Sequence, residues 1–161
     1  MEKQNVQDLF DQCLEDATED ELKVIHQLLL GVQRKKQKWN DSYIGAILNM
    51  EKSPSDNEYK ITIPINSLTE NSLGIVHGGI TTTVLDTVMG TLANTLLPDG
   101  YGAVTSNLAI HFIAPGKGER METIAKVIHK GTKTIVIEGS AFSENGKKIA
   151  HCNGTFFIIK K

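Results

Sequence analysis

Between Asn71 and Asp86 the chain reads N-S-L-G-I-V-H-G-G-I-T-T-T-V-L-D. His77-Gly78-Gly79 stands where an irregular segment gives way to a helical pattern. The first N–H groups of a helix have no partner inside it. They carry the positive end of the helix dipole and suit an anion or a polarised oxygen. Glycine at that place lets a ligand approach the backbone closely. Donors of this kind stabilise a carbonyl oxygen as it becomes an oxyanion. Asp86 is the second element, set in the middle of a helical run otherwise written in Ile, Val, Leu, Met and Thr. With Ile80 at 0°, Asp86 projects to about 240° and Gly79 to about 260°, while the apolar stripe centres at about 120°. The acid and the glycine pair therefore share one side of the helix, about 10 Å apart along its axis. A carboxylate facing a polarised carbonyl suits general-base work. Singly, a Gly-Gly pair is a turn, a mid-helix Asp a solvated charge and a loop His a packed side chain. Their combination at these spacings marks a site.

The elements that must position these residues follow from periodicity. Ile80, Val84, Leu85, Val88, Met89, Leu92, Ala93 and Leu96 predict one long helix over 78–97, stopped by Pro98-Asp99-Gly100. Before it, Tyr43 to Met50 is a strand candidate. Tyr59, Ile61, Ile63 and Ile65 alternate with polar residues and Pro64, as a half-buried strand does. Ser53-Pro54-Ser55-Asp56-Asn57 reads as a hairpin loop between these two. After the helix, Val104, Ser106, Leu108, Ile110 and Phe112 alternate. Met121–His129, Thr132–Phe142 and Lys148–Ile159 supply three more strands, with turns at Gly131 and Asn145-Gly146. Residues 1–39 form a helical lead-in, its second piece opened by Thr18-Glu19-Asp20-Glu21 and closed by the basic run Arg34-Lys35-Lys36-Gln37-Lys38. Such a run suits a solvated helix end. Strands gathered around one helix predict an α+β fold with an antiparallel sheet of five to six strands curled about that helix. The expected division is 1–39, the extension, and 40–161, the main domain.

Bulk properties exclude several classes. A chain of 161 residues suits one domain. A net charge of -2 gives no bulk attraction for nucleic acid or an anionic membrane. Cys13 and Cys152 form no CxxC pair, which speaks against a disulfide scaffold or zinc site and for a reducing, cytoplasmic setting. The polar N-terminus is unlike a signal peptide. No apolar run approaches the about 18 residues of a membrane span.

Gly74 to Asp86, G-I-V-H-G-G-I-T-T-T-V-L-D, resembles the signature of hotdog-fold acyl-CoA thioesterases of the phenylacetic-acid-pathway (PaaI-like) type, roughly G-x-x-H-G-G-x-x-x-x-L-x-D. Asn71, six residues before the histidine, matches as well, and Val104-Thr105-Ser106-Asn107-Leu108 with Pro115-Gly116 resembles the family's following strand and loop. The resemblance covers about residues 42–159. It implies a hotdog fold and hydrolysis of acyl-CoA to free acid and CoA, with no cofactor beyond the CoA of the substrate and no metal. It implies that Gly78 N–H donates to the thioester oxygen, that Asn71 and His77 hold or polarise it, and that Asp86 acts as base or nucleophile from the partner subunit. Thr105 falls where family members carry a hydroxyl that positions water. It further implies a homo-oligomer, a dimer or a dimer of dimers (a homotetramer).

Gly79, Lys117, Lys130 and Lys133 are candidate substrate-binding residues, the lysines as point charges for CoA phosphates; Arg120 also flanks a glycine. His111, His129 and His151 lie on separate strands without metal-ligand spacing. Two alternatives stand beside hydrolysis. A hotdog hydratase or dehydratase would need a histidine base beside a second acid, and a non-catalytic acyl-CoA sensor would have no use for Asp86.

Overall fold

The computed structural model describes residues 2–55 and 58–161. The lead-in is helical: α1 (Lys3–Leu14) and α2 (Glu19–Lys36). Thr18 opens α2 with a full capping box, its hydroxyl accepting from Glu21 N–H while the Glu21 carboxylate accepts from Thr18 N–H at 2.8 Å. Tyr43–Met50, read from the sequence as a strand, is instead mostly the short helix α3 (Tyr43–Ile47). Ser42 caps it, its Oγ accepting from Gly45 N–H at 3.1 Å. In so short an apolar run the periods of helix and strand are hard to tell apart, and the cap decides. Strand pairing begins later, with β1 (Glu51–Pro54) against β2 (Glu58–Pro64). Ser53 and Pro54 of the expected hairpin loop therefore belong to β1, while Asp56 and Asn57 lie outside the described residues.

The chain divides into two compact units, Met1–Leu48 and Asn49–Lys161. In the first, Gly31 of α2 lies directly against Ile47, and Gln27 Nε2 donates to Ile47 O at 2.8 Å.

The second unit is one six-stranded sheet around α4 (Gly78–Thr95). The remaining strands are β3 (Tyr101–Phe112), β4 (Arg120–Lys130), β5 (Thr134–Ser143) and β6 (Lys148–Lys160). Their order is β1-β2-β4-β5-β6-β3, antiparallel throughout. This is the hotdog fold. The alternation read in β2 holds: Tyr59, Ile61, Ile63 and Ile65 are buried. On α4, Val84, Leu85, Val88, Met89, Leu92 and Ala93 are buried as the stripe requires. Two glycines set how closely the helix seats. A Cβ on Gly139 of β5 would meet Cys152 Sγ at 2.8 Å and Met89 Sδ at 3.1 Å, and one on Gly154 of β6 would meet Met89 Cε at 3.1 Å. Bare backbone there lets Met89 sink into the sheet. Polar residues on α4 are absorbed locally: Thr82, Thr83 and Thr87 donate to the carbonyls of Gly78, Gly79 and Thr83, four residues back. Asp86, by contrast, takes no partner on its own helix.

Candidate active site

The start of α4 is built by its own loop. Asn71 Oδ1 accepts from Leu73 N–H at 2.9 Å, and Asn71 N–H donates to Ile75 O at 2.9 Å. The amide oxygen is thus used locally, and the NH₂ is the group left to meet a ligand. His77 N–H and Val76 N–H donate to Thr69 O and Gly116 O, which fixes the loop before the helix. His77 is the N-cap: Gly79 N–H donates to its Nδ1 at 2.9 Å. In the neutral ring the proton then sits on Nε2. His77 in this form offers a donor rather than a base. Gly79, counted among the substrate-binding candidates, has its N–H taken up inside the cap. Gly78, the first helical residue, keeps an N–H with no partner inside the helix. Asn71 and Gly78 both line a cavity of about 370 Å³ whose apolar walls include Ile75, Phe112, Ile113 and Ile149. The Phe112 ring stands over Gly78, at 3.3 Å from the place a Cβ would occupy.

Asp86 lies further along α4 and is half-buried. Thr105 Oγ1 donates to its Oδ1 at 2.8 Å. β3 carries a bulge between Thr105 and Asn107, and Ser106 Oγ donates to Thr155 O at 3.0 Å inside it. Bulges of this kind re-aim side chains beside active sites. Below Asp86 is Cys152, buried, whose thiol is pushed up to about 11 by burial and, to a lesser degree, by the Asp86 carboxylate. Asn94, on the last turn of α4, bonds both backbone groups of Ala103 through Oδ1 and Nδ2 (3.1 and 3.3 Å), which ties the helix to the edge strand that carries Thr105.

The chain therefore brings Asp86 and Thr105 together, and Asn71 and Gly78 onto one cavity with the exposed His77 cap beside it, but holds the two groups apart. Gly78 and Asp86 are eight residues distant on one helix, about 12 Å along its axis. The lysines are also divided. Lys117 adjoins Gly116, which lines the cavity. Lys130 Nζ donates to Leu96 O and so caps the far end of α4, about 27 Å from Gly78 for an 18-residue helix. Lys133 lies in the β4–β5 turn, its carbonyl accepting from Ile158 N–H. Sequence reasoning missed Phe112 and Ile113 as cavity walls. Their position, just before Pro115-Gly116 at the end of an alternating strand, was the available signal.

A family model described as the thioesterase superfamily matches residues 73–150, the span from the loop before α4 to the start of β6. The BH2602 protein of Bacillus halodurans, crystallised with CoA, is 37% identical; the match covers 94% of this chain and 99% of that one, with a TM-score of 0.87. The chain belongs to the thioesterase superfamily. More distant members share the fold. A thioesterase family protein of Silicibacter pomeroyi is 22% identical over 81% of this chain and 99% of its own, at a TM-score of 0.72. The E. coli PaaI protein from the phenylacetic acid degradation operon is 21% identical over 83% of this chain and 94% of its own, at 0.68. The superfamily match stops just inside β6 and excludes everything before residue 73, α1 and α2 included, whereas the B. halodurans match spans nearly the whole chain. Among the described residues no helix is long and apolar enough to cross a membrane.

Proposed function

We propose that this thioesterase-superfamily chain hydrolyses acyl-CoA to a carboxylic acid and CoA, in a cytoplasmic homo-oligomer whose sites are each built from two copies. The observation that carries the reading is the separation of the two half-sites. Reacting atoms need contact at about 3–3.5 Å, and one chain holds its oxygen-binding donors and its carboxylate about 12 Å apart. β3 is an edge strand. Two copies joined antiparallel along it would lay the Asp86–Thr105 pair of one beside the Gly78 cavity of the other. The same pairing would bring Lys130 and Lys133 of the second copy toward the cavity that Gly116, the neighbour of Lys117, lines. The CoA bound by the B. halodurans protein supports CoA as the carrier.

In the proposed reaction the thioester oxygen rests on Gly78 N–H, with the Asn71 NH₂ and His77 Nε2–H as further donors. Thr105 orients the Asp86 carboxylate, which takes a proton from water as the water oxygen bonds to the thioester carbon. The C–S bond then breaks, and the proton passes to the CoA thiolate. The apolar walls of the cavity suit the acyl group.

Subunit mixing tests this directly, read as thiol release from a panel of acyl-CoA substrates. Asp86→Asn protein and Asn71→Ala/His77→Ala protein are each assayed alone, then unfolded and refolded together. Sites shared between copies predict recovery to about a quarter of the wild-type rate, since half the dimers are mixed and one of the two sites in each is intact. Sites confined to one chain would give no recovery on mixing, and that result would overturn the shared-site reading.

A further inference from the structure

Helix α2 packs through one side and leaves on the other an aliphatic row in which only Ile25 is half-buried. Gln27 and Gly31 turn toward α3, where both meet Ile47. On the other side Leu22, Ile25, Leu29 and Val32 recur at steps of three, four and three. These are the a and d positions of successive heptads. Leu22, Leu29 and Val32 are 44%, 51% and 39% exposed. A row of large aliphatic side chains this open is costly in water. α1 offers no relief: none of its residues is buried.

Charge indicates what covers the row. The first turn of α2 holds Glu19, Asp20 and Glu21, and the last turn holds Arg34, Lys35 and Lys36. Arg34 stacks over Trp39 at 4.8 Å and Lys35 over Tyr43 at 5.9 Å, so both cations are kept at the basic end. A helix acidic at one end and basic at the other is matched by its own copy laid antiparallel. A two-fold axis across the aliphatic row, at the height of residue 27 along the helix, would set Leu22 against Val32 of the second copy and Ile25 against Leu29 of the second copy. It would also set each acidic turn beside a basic one. A parallel arrangement would put acid on acid and base on base.

We propose that α2 is a self-association surface that takes the α2 of a second copy of this chain, antiparallel, through Leu22, Ile25, Leu29 and Val32. The contact is isologous, as closed symmetric assemblies require. Two heptads are too few for a free coiled coil, but this helix is already held through its opposite face. The inference does not depend on the catalytic reading, since it uses no residue of the active site.

Disulfide trapping in the full-length Cys13→Ser background tests it, with Cys152 buried and out of reach. Leu22→Cys, Val32→Cys and the double variant are oxidised and run on non-reducing gels. The antiparallel contact predicts a covalent dimer from the double variant and none from either single variant. Adding Glu19→Lys and Asp20→Lys, which leave the Glu21 capping box in place, should bring the double variant down to the single-variant level. Further adding Arg34→Glu, Lys35→Glu and Lys36→Glu should restore the dimer. Three results overturn the proposal: no dimer from a double variant that circular dichroism shows to be folded, dimers from the single variants, or trapping indifferent to charge reversal. A Val6→Cys/Leu29→Cys link formed in place of the dimer would assign the face to α1.

Discussion

Replacing Asp86 by Asn separates chemistry from geometry at the proposed site. The side chain keeps its size and an oxygen that can accept from Thr105, whose hydroxyl lies 2.8 Å away. Asp86 is half-buried, so removing a charge there opens no cavity. The loss is that of the basic form alone. A missing general base slows a reaction by about 10²–10⁴-fold, or about 2.7–5.4 kcal/mol of barrier at 1.36 kcal/mol per decade. Weakening the Thr105 hydrogen bond adds less, because an ordinary neutral bond contributes about 0.5–1.5 kcal/mol and a charged one about 1.5–3 kcal/mol. The donors at Gly78, Asn71 and His77 are untouched, so KM should change little while kcat falls. Thiol release from a fixed acyl-CoA, followed over a range of concentrations, reads both constants. Thr105→Val supplies the scale: it should cost kcat less than Asp86→Asn does. An Asp86→Asn protein that assembles normally and keeps kcat within about threefold of wild type, well inside that range, would refute the assignment of Asp86 as base.

Other consequences concern the floor beneath Asp86. Gly139→Ala would place a methyl group 2.8 Å from Cys152 Sγ and 3.2 Å from Leu85 Cδ2, and overpacking of this kind costs about 1–3 kcal/mol; urea unfolding should show a lower midpoint at unchanged slope. The Cys152 thiol, pushed up to about 11, should resist alkylation at pH 8 while Cys13 reacts, and mass spectrometry of labelled peptides would find the ratio. Because its folded value stands above the unfolded 9.0, the native state holds the proton longer. The stability this thiol contributes is present below pH 9 and is lost as pH rises toward about 11, a decline that Cys152→Ala should lack in urea titrations.

Much of this was legible in the chain because the physics is local. Thr18 and Glu21 announce their capping box by spacing, and Tyr59 to Ile65 declares a half-buried strand by strict alternation. Asp86 drew notice for the same reason, as a charge inside an apolar period. What escaped depends on geometry that spacing does not encode. Tyr43–Met50 has an apolar pattern too short to distinguish helix from strand, and only the Ser42 cap resolves it. Which donor of the glycine pair stays open turns on one hydrogen bond, from Gly79 to the His77 ring. Lys130 looks like any turn lysine until the fold carries it to the end of α4. Phe112 and Ile113 become walls only when β3 folds back beside the helix start.

Under Asp86 the helix rests on sulfur. Cys152 Sγ and Met89 Sδ lie 3.7 Å apart, both fully buried, with Met89 seated where Gly139 and Gly154 leave bare backbone. A sulfoxide oxygen on Met89 would find no space in that seat and no donor there but the weak S–H of Cys152, and the polar, bulkier side chain could not return to it. Peroxide reaches the thioether only in molecules that have opened locally. A chain oxidised while open stays so until a reductase restores the thioether, because it cannot reclose over its own floor. The oxidative ageing of this protein therefore follows the fraction of molecules in which α4 is lifted from the sheet, and the rate of sulfoxide appearance at Met89 reports that open population.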